Sequence, residues 1–524
     1  MKAGSEHIRQ LVICADAMEW NLVRQWANGG KLPVFRRLME QGMGGKLAST
    51  SEQLPDTVWP CLYTGMNPAK FGRFFYVQYD AQTMGVRHLG DDAIGLPPVW
   101  ERLSQAGQRV GVVDVPKFAA SRSLNGFQLA CWGAHAMHAP LASIPETLVG
   151  EIETRFGQHP VGECDAVDDA PRLLAQLRGR LLKGVRLHGE VFRQLMQEYP
   201  WDTFLAGFSE PHCAGHHFWR FMDPSYPRHP KEDPYGLADT IEQVYRAIDH
   251  EIGKMLDLVD RNVRCFVVSA EGMGPLYHAS WNLQEILDLL GFGDSRTNGF
   301  ARSGRQRKAR VNPWRLLKMM MPGALQYCIK GMLPQTLQER LVELWYTGGL
   351  RWEACRAFAI PNNDVVGTIR INVKGRDKTG LVQAGAEYRR LCQEITEALY
   401  ELRDPVSGRP VVRRVTFIPD EFQGPFLDRL PDLTVFWEQS FPWTAVDSPR
   451  FGTLQLRRQD AGSGSHTAHG FVLIIGSGVS AGVDISGHTI YDIAPTLLEA
   501  VGVPVPTGLD GHPLPIPAIS TCAK

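Results

Sequence analysis

No acidic residue occurs between Ser295 and Gln338, no two cysteines are spaced as CxxC, and neither a GxGxxG loop nor a P-loop lysine motif is present. No apolar run approaches the roughly 20 residues of a membrane-spanning helix, and net charge is nearly absent, at −1. Each absence removes a class of function. Without the glycine-rich loops, nucleotide binding by those two routes is excluded. Without net positive charge, the molecule as a whole is no electrostatic binder of nucleic acid, so any basic function is local. The ten cysteines form no framework, which fits reduced thiols in a cytoplasm. Near the N-terminus the only apolar run is LVICA, shorter than the roughly 7–15 residues of a signal peptide core. A cytoplasmic location is expected.

What remains is an ordinary globular composition, 44% hydrophobic and 21% charged over 524 residues. That length suits roughly three average domains or one large α/β unit with insertions. Short runs of Val, Ile, Leu and Phe recur between helical patterns: LVICA (11–15), RVGVVDVP (109–116), TFLAGF (203–208), RCFVVSA (264–270), LTVFW (433–437) and FVLIIGSG (471–478). Apolar strands separated by helices predict a mostly parallel sheet covered on both faces. Ligands of such sheets bind beyond the carboxyl ends of the strands.

Polar residues gather at those ends. The first strand runs into Asp16. TFLAGF runs into SEPHCAGHH, which holds Glu210, His212, Cys213, His216 and His217. RCFVVSA runs into Glu271, and SGSHTAHG, with His466 and His469, precedes the last strand. Taken singly, each reads as a cap or a satisfied loop residue. Jointly, four strand ends bearing Asp, Glu and His predict a metal site. If SEPHCAGHH is helical, His212 and His216 share one face a turn apart. His217 then points away, and it and His469 read as supporting or structural.

One segment departs from this pattern. Residues 295–338 hold nine Lys or Arg and no acid. We read 295–345 as a basic insertion or cap beside the carboxyl edge of the sheet. It suits an anionic substrate, an anionic lipid surface or a partner, or is a solvated loop. The two flanks, 1–294 and 346–524, are expected to form one core.

The strand ends also carry a resemblance. VICADAMEW with GKLPVFRRLMEQG, TVWPCLYTGMNPAKFG, FSEPHCAGHHFW, VVSAEGMGP, IRINVKGRDKTGLV, LPDLTVFW, SGSHTAHGFVLIIGSGV and TIYDIAPTLLEAVGVPVPTGLDGHPL follow the ordered motifs of one family. The chain resembles the type I phosphodiesterase/nucleotide pyrophosphatase family of the alkaline phosphatase superfamily. The resemblance implies a three-layer α/β/α fold around a mostly parallel sheet, two divalent metals and a Thr or Ser nucleophile. It maps metal ligands onto Asp16, His216 and His466. Elsewhere the chain departs: His212 stands for a family Asp, Ala270 and Glu271 for the Asp and His of SDHG, Phe71 for the His of PGKHG, and Pro55 for the usual hydroxyl.

The resulting expectation is a metal-dependent hydrolase of phosphate-type esters, above all a phosphodiesterase, acting on an anionic small molecule and taking no specific nucleic acid. The metal set is Asp16, His212, His216, Glu271 and His466, with zinc favoured by three imidazoles over manganese or magnesium. Thr57, Glu210 and Glu271 are the catalytic candidates: Thr57 as a displaced nucleophile or merely a helix N-cap, and either glutamate as general base. Arg370, Asn372, Lys374 and Arg376 read as structural. The alternatives are group transfer, phosphonate or sulfate ester hydrolysis by an activated water, or a binding protein that keeps the fold.

Overall fold

The computed structural model describes residues 9–517 apart from 91–93, 134–138, 163, 165–166, 168, 261, 278–281, most of 294–350, 364–365 and 457–461. Its centre is an eight-stranded sheet. From one edge the order is Met43–Ala48, His469–Ile475, Arg264–Ser269, Gln10–Ala15, Thr203–Phe208, Val110–Val113, Gly126–Ala130 and Ala142–Ile144. Gln10–Ala15 pairs in parallel with both Thr203–Phe208 and Arg264–Ser269, so Asp16 leaves the sheet at its middle.

The first strand shows why both faces are covered. Side chains alternate along a strand. Leu11, Ile13 and Ala15 join one apolar cluster with Leu181, Phe192, Phe218 and Ile248. Those partners come from the helices Pro171–Glu198, Glu210–Met222 and Thr240–Leu256. Val12 and Cys14 face the other cluster, with Trp59, Trp100 and Leu497. These come from Val58–Thr64, Val99–Gln105 and Ile493–Glu499. The layers are α/β/α, as expected.

Strand direction differs from expectation in two places. His469–Ile475 runs antiparallel to Arg264–Ser269. LTVFW lies in a separate four-stranded antiparallel sheet with Ala357–Ala359, Val366–Ile371 and Val412–Phe417. An apolar run signals burial on two faces, and burial carries no information about direction. The basic segment 295–345 lies mostly outside the described residues. Its described strand, Arg307–Lys308, pairs in parallel with Gly452–Gln455. Strands from both flanks of that segment share the central sheet.

The second sheet is tied by buried charge. Asp432 accepts from Ile371 N at 2.6 Å, from Arg376 Nη1 at 2.6 Å and from Tyr388 Oη at 2.7 Å. Arg370 and Arg376 both bind Asp377, at 3.1 and 3.0 Å. Burial raises the Asp432 carboxyl, but Arg376 and Arg370 outweigh it and hold it below its ordinary value. Removing one partner of a buried pair leaves a charge without compensation, at about 3–5 kcal/mol. Asp432→Ala is therefore expected to lower the unfolding free energy by about that much, read from denaturant midpoints.

Candidate metal centre

Thr203–Phe208 delivers the chain to Ser209, where the helix Glu210–Met222 begins with Pro211 in its first turn, a position that needs no N–H donor. Four residues apart, His212 and His216 share a face of this helix. His466 comes from far away in sequence, on the short strand Gly464–Thr467, which pairs antiparallel with Gly272–Pro275 and sets His466 opposite Met273. That strand lies directly on the helix backbone. A Cβ at Gly464 would stand 2.2 Å from the carbonyl oxygen of Gly215. Ser463 N donates to His216 O at 2.6 Å, and the Ser463 hydroxyl accepts from Arg220 N at 3.2 Å.

The three imidazoles meet there. Their ring centroids are 4.5 to 4.9 Å apart, and one ligand atom from each lies within 4.8 Å of the others. His216 Nδ1 faces Gly464 O at 2.9 Å, which leaves Nε2 to the cluster. His466 Nδ1 lies 3.2 Å from Glu271 Oε1, again turning Nε2 inward. The two Nε2 atoms are 3.3 Å apart. Two nitrogens about 2.0–2.1 Å from a tetrahedral zinc stand roughly 3.3 Å apart. The donors thus fit a divalent ion, and the carbonyl and carboxylate behind two of the rings fix which nitrogen faces it. His212 and His466 are buried, whereas His216 is half-buried and opens the cluster outward.

Asp16 and Glu271 are on the same edge, but they do not join the histidines as ligands of one set of three among the described residues. Asp16 Oδ1 accepts the Trp59 indole N–H at 2.6 Å. Glu271 is buried, and its carboxyl is raised well above its ordinary value by burial, then by Asp16 and Asp56, with Lys117 opposing. Asp56 binds Lys117 Nζ at 2.9 Å and lies 3.6 Å from Arg73 Nη2. Ala270 brings no donor. Thr57 occupies the N-cap position of Val58–Thr64 without making a side-chain cap bond. Its hydroxyl donates to Leu54 O at 2.6 Å and lies 2.9 Å from Thr50 Oγ1.

Glu210 lies in a different cluster. Its Oε1 is 2.8 Å from His188 Nδ1 and 3.2 Å from His159 Nε2, and His188 Nε2 is 3.0 Å from Asp114 Oδ2. Asp114 also accepts from Trp132 N and Gly133 N, both at 2.8 Å. Burial works against charge on His188, but Glu210 and Asp114 overcome it and raise the imidazole to about 10. Burial likewise opposes ionisation of Glu210, yet His188 and His159 lower it to about 2. No sequence pattern marks His159, His188 or Lys117; Asp114 ends a strand that the apolar run at 109–116 does mark.

The profile of the family described as type I phosphodiesterase/nucleotide pyrophosphatase matches residues 10–470. No curated protein matches the chain. Among solved structures, phosphonoacetate hydrolase from Sinorhizobium meliloti 1021, in complex with phosphonoacetate, is 14% identical with a TM-score of 0.50, covering 93% of this chain and 94% of its own. Its likeness shows the alkaline-phosphatase-like fold. Murine ectonucleotide pyrophosphatase/phosphodiesterase 5, inactive and in complex with AMP, is 13% identical with a TM-score of 0.48, covering 95% of this chain and 96% of its own.

Two outcomes follow from this geometry. Gly464→Ala is expected to push the strand off the helix, part His466 from His216, and weaken zinc binding at least about tenfold. Circular dichroism should stay native while metal titration shows the loss. Glu210→Gln leaves His188 with half its countercharge, so it is expected to cost about 3–5 kcal/mol of stability. The fraction that folds should still bind zinc, because the trihistidine nitrogens are untouched.

Proposed function

From the premise that the chain belongs to the type I phosphodiesterase/nucleotide pyrophosphatase family, we propose that it cleaves a phosphodiester at a zinc ion held by His212, His216 and His466. Membership makes it a metal-dependent hydrolase of phosphate-type esters. The observation that carries the finer reading is the 3.3 Å separation of two inward Nε2 atoms, with His216 Nδ1 on Gly464 O and His466 Nδ1 3.2 Å from Glu271 Oε1. Three imidazoles with no carboxylate ligand favour zinc over the harder oxygen-seeking ions.

A divalent ion at this position supplies Lewis acidity toward a phosphoryl oxygen and toward water. The chain's own residues divide the rest. Gly464 O and Glu271 orient the rings of His216 and His466. Among the described residues no group hydrogen-bonds Glu271 Oε2. That oxygen is the atom assigned to take up a proton from the attacking water, a step that needs Glu271 ionised against the burial, Asp16 and Asp56 that raise it. Glu210 is committed to His188 and His159 and is not assigned this role. The Thr57 hydroxyl proton is directed at a main-chain carbonyl, so water rather than Thr57 is the nucleophile in this reading.

The substrate is an anionic small molecule. No helix among the described residues is long and apolar enough to cross a membrane. The eight described cysteines are buried and outside disulfides, and the reading of a reducing, cytoplasmic setting rests on them.

The test is hydrolysis of aryl phosphodiester, phosphomonoester, phosphonate and sulfate substrates with zinc, manganese or magnesium. His216→Ala is expected to lose the ion and at least about 100-fold in kcat/KM on the diester. Thr57→Ala is expected to lose less than about tenfold; a near-total loss would establish a covalent route through Thr57 instead. Absence of zinc from wild-type protein would leave the binding-protein alternative.

A further inference from the structure

We infer that Lys117 takes the place of a second metal ion, so that this centre is built for one divalent ion and one fixed ammonium. The inference rests on the reading just given for the trihistidine ion and extends it to the other half of the cleft.

That half is rich in carboxylate and poor in ligands. Asp16, Asp56 and Glu271 converge on it, all buried. A second ion there would have to draw on these three carboxylates, because the neighbouring positions offer it little. Ala270 presents a methyl group. Asp16 Oδ1 is taken by the Trp59 indole at 2.6 Å. Thr57 is turned to Leu54 O. Among the described residues no group of three ligand atoms forms around Asp16 and Glu271.

Cationic side chains are present instead. Lys117 Nζ stands 2.9 Å from Asp56 Oδ1, with its side chain only 16% exposed. Arg73, 1% exposed, approaches the same carboxylate at 3.6 Å. Lys117 is also a charge neighbour of Glu271. The backbone holds it deliberately. Asp114 and Lys117 both have positive φ, 49° and 59°, a left-handed conformation that residues with side chains adopt at a cost. Asp114 is fixed by two backbone N–H groups and His188, and the Lys117 carbonyl accepts from Tyr63 Oη at 2.8 Å. An ammonium is a compact charge with three rotatable donors, so it satisfies carboxylates without the geometry an ion demands. It also leaves fixed positive charge for a substrate's phosphoryl oxygens.

The experiment compares metal content of wild type, Lys117→Met, Lys117→Ala and Lys117→Arg after dialysis against zinc and then manganese. Each is also made in a His216→Ala background. Wild type should hold one ion per chain and take no second in excess manganese. Met and Ala at 117 should each gain about one manganese, in both backgrounds, and Arg should gain none. Two ions in wild type, or no gain when the ammonium is removed, would overturn the inference. The His216→Ala background separates the two readings: it empties the trihistidine set, so a gain there reports on Lys117 alone. A wild type without zinc at the histidines would sink the proposed function and leave this comparison intact. Met preserves the lysine stem, which guards against loss of fold, and melting temperatures check it. If neither replacement folds, the wild-type stoichiometry decides.

Discussion

The centre depends on two stretches of backbone touching with no side chain between them. Gly464 sits so close to Gly215 that an added Cβ would stand 2.2 Å from a carbonyl oxygen. This contact brings together His216 and His466, which are 250 positions apart. Any side chain at Gly464 would move the strand by about a bond length, and metal–nitrogen distances tolerate only about 0.2 Å. The Ser463 bonds to the carbonyls of His216 and His217 lock the same contact from the side. Sheet, helix and strand thus matter to function through one steric fact. The apolar clusters on both faces of the sheet supply the rigidity that lets it persist.

Two imidazole clusters lie along this edge, and chemistry distinguishes them. In the inner one, His188 has both ring nitrogens against carboxylates, at 2.8 and 3.0 Å. Glu210 and Asp114 favour a proton on this ring; with His159 and Glu210 it also forms a group with ligand spacing, but one whose charge carboxylates already match. In the outer one, two Nε2 atoms face each other at 3.3 Å. Neutral rings so placed set lone pair against lone pair or share a single proton; protonated rings repel. A cation between them resolves both difficulties. The inner cluster is a brace under the first turn of the helix Glu210–Met222. The outer one, on the same helix, has the spacing to hold an ion.

Much of this was legible in the sequence. Apolar runs located five of the eight central strands, and polar residues at their ends marked the edge that matters. His212 and His216 were readable from a spacing of four. Glu210 lies apart from the trihistidine set for a reason the same helix supplies. Two residues along a helix is a rotation of about 200°, so Glu210 faces away from His212 and meets His188 and His159. The strand LTVFW was readable as a strand, but not its sheet, because burial does not encode pairing. Lys117 carried no signal at all. Its role arises from a turn with two positive-φ residues, and neither a lysine nor an aspartate announces that conformation.

The substitutions in the cleft form a consistent set. On the proposed reading, His212, where the family resemblance has Asp, gathers imidazoles around one ion. Ala270 removes a ligand from the other side, and Pro55 removes a hydroxyl there. Glu271, where the family has His, becomes a carboxylate set against a ligand histidine and within reach of Lys117's field. Random decay would be expected to strip charge from a buried cleft, because unpaired charge is costly there. Here charge was rearranged: one half gathers neutral nitrogens for a metal, and the other matches carboxylates to Lys117 and Arg73. A phosphate ester presents negative oxygens on more than one side of phosphorus. A cleft with an ion site on one side and an ammonium on the other still offers positive charge to both.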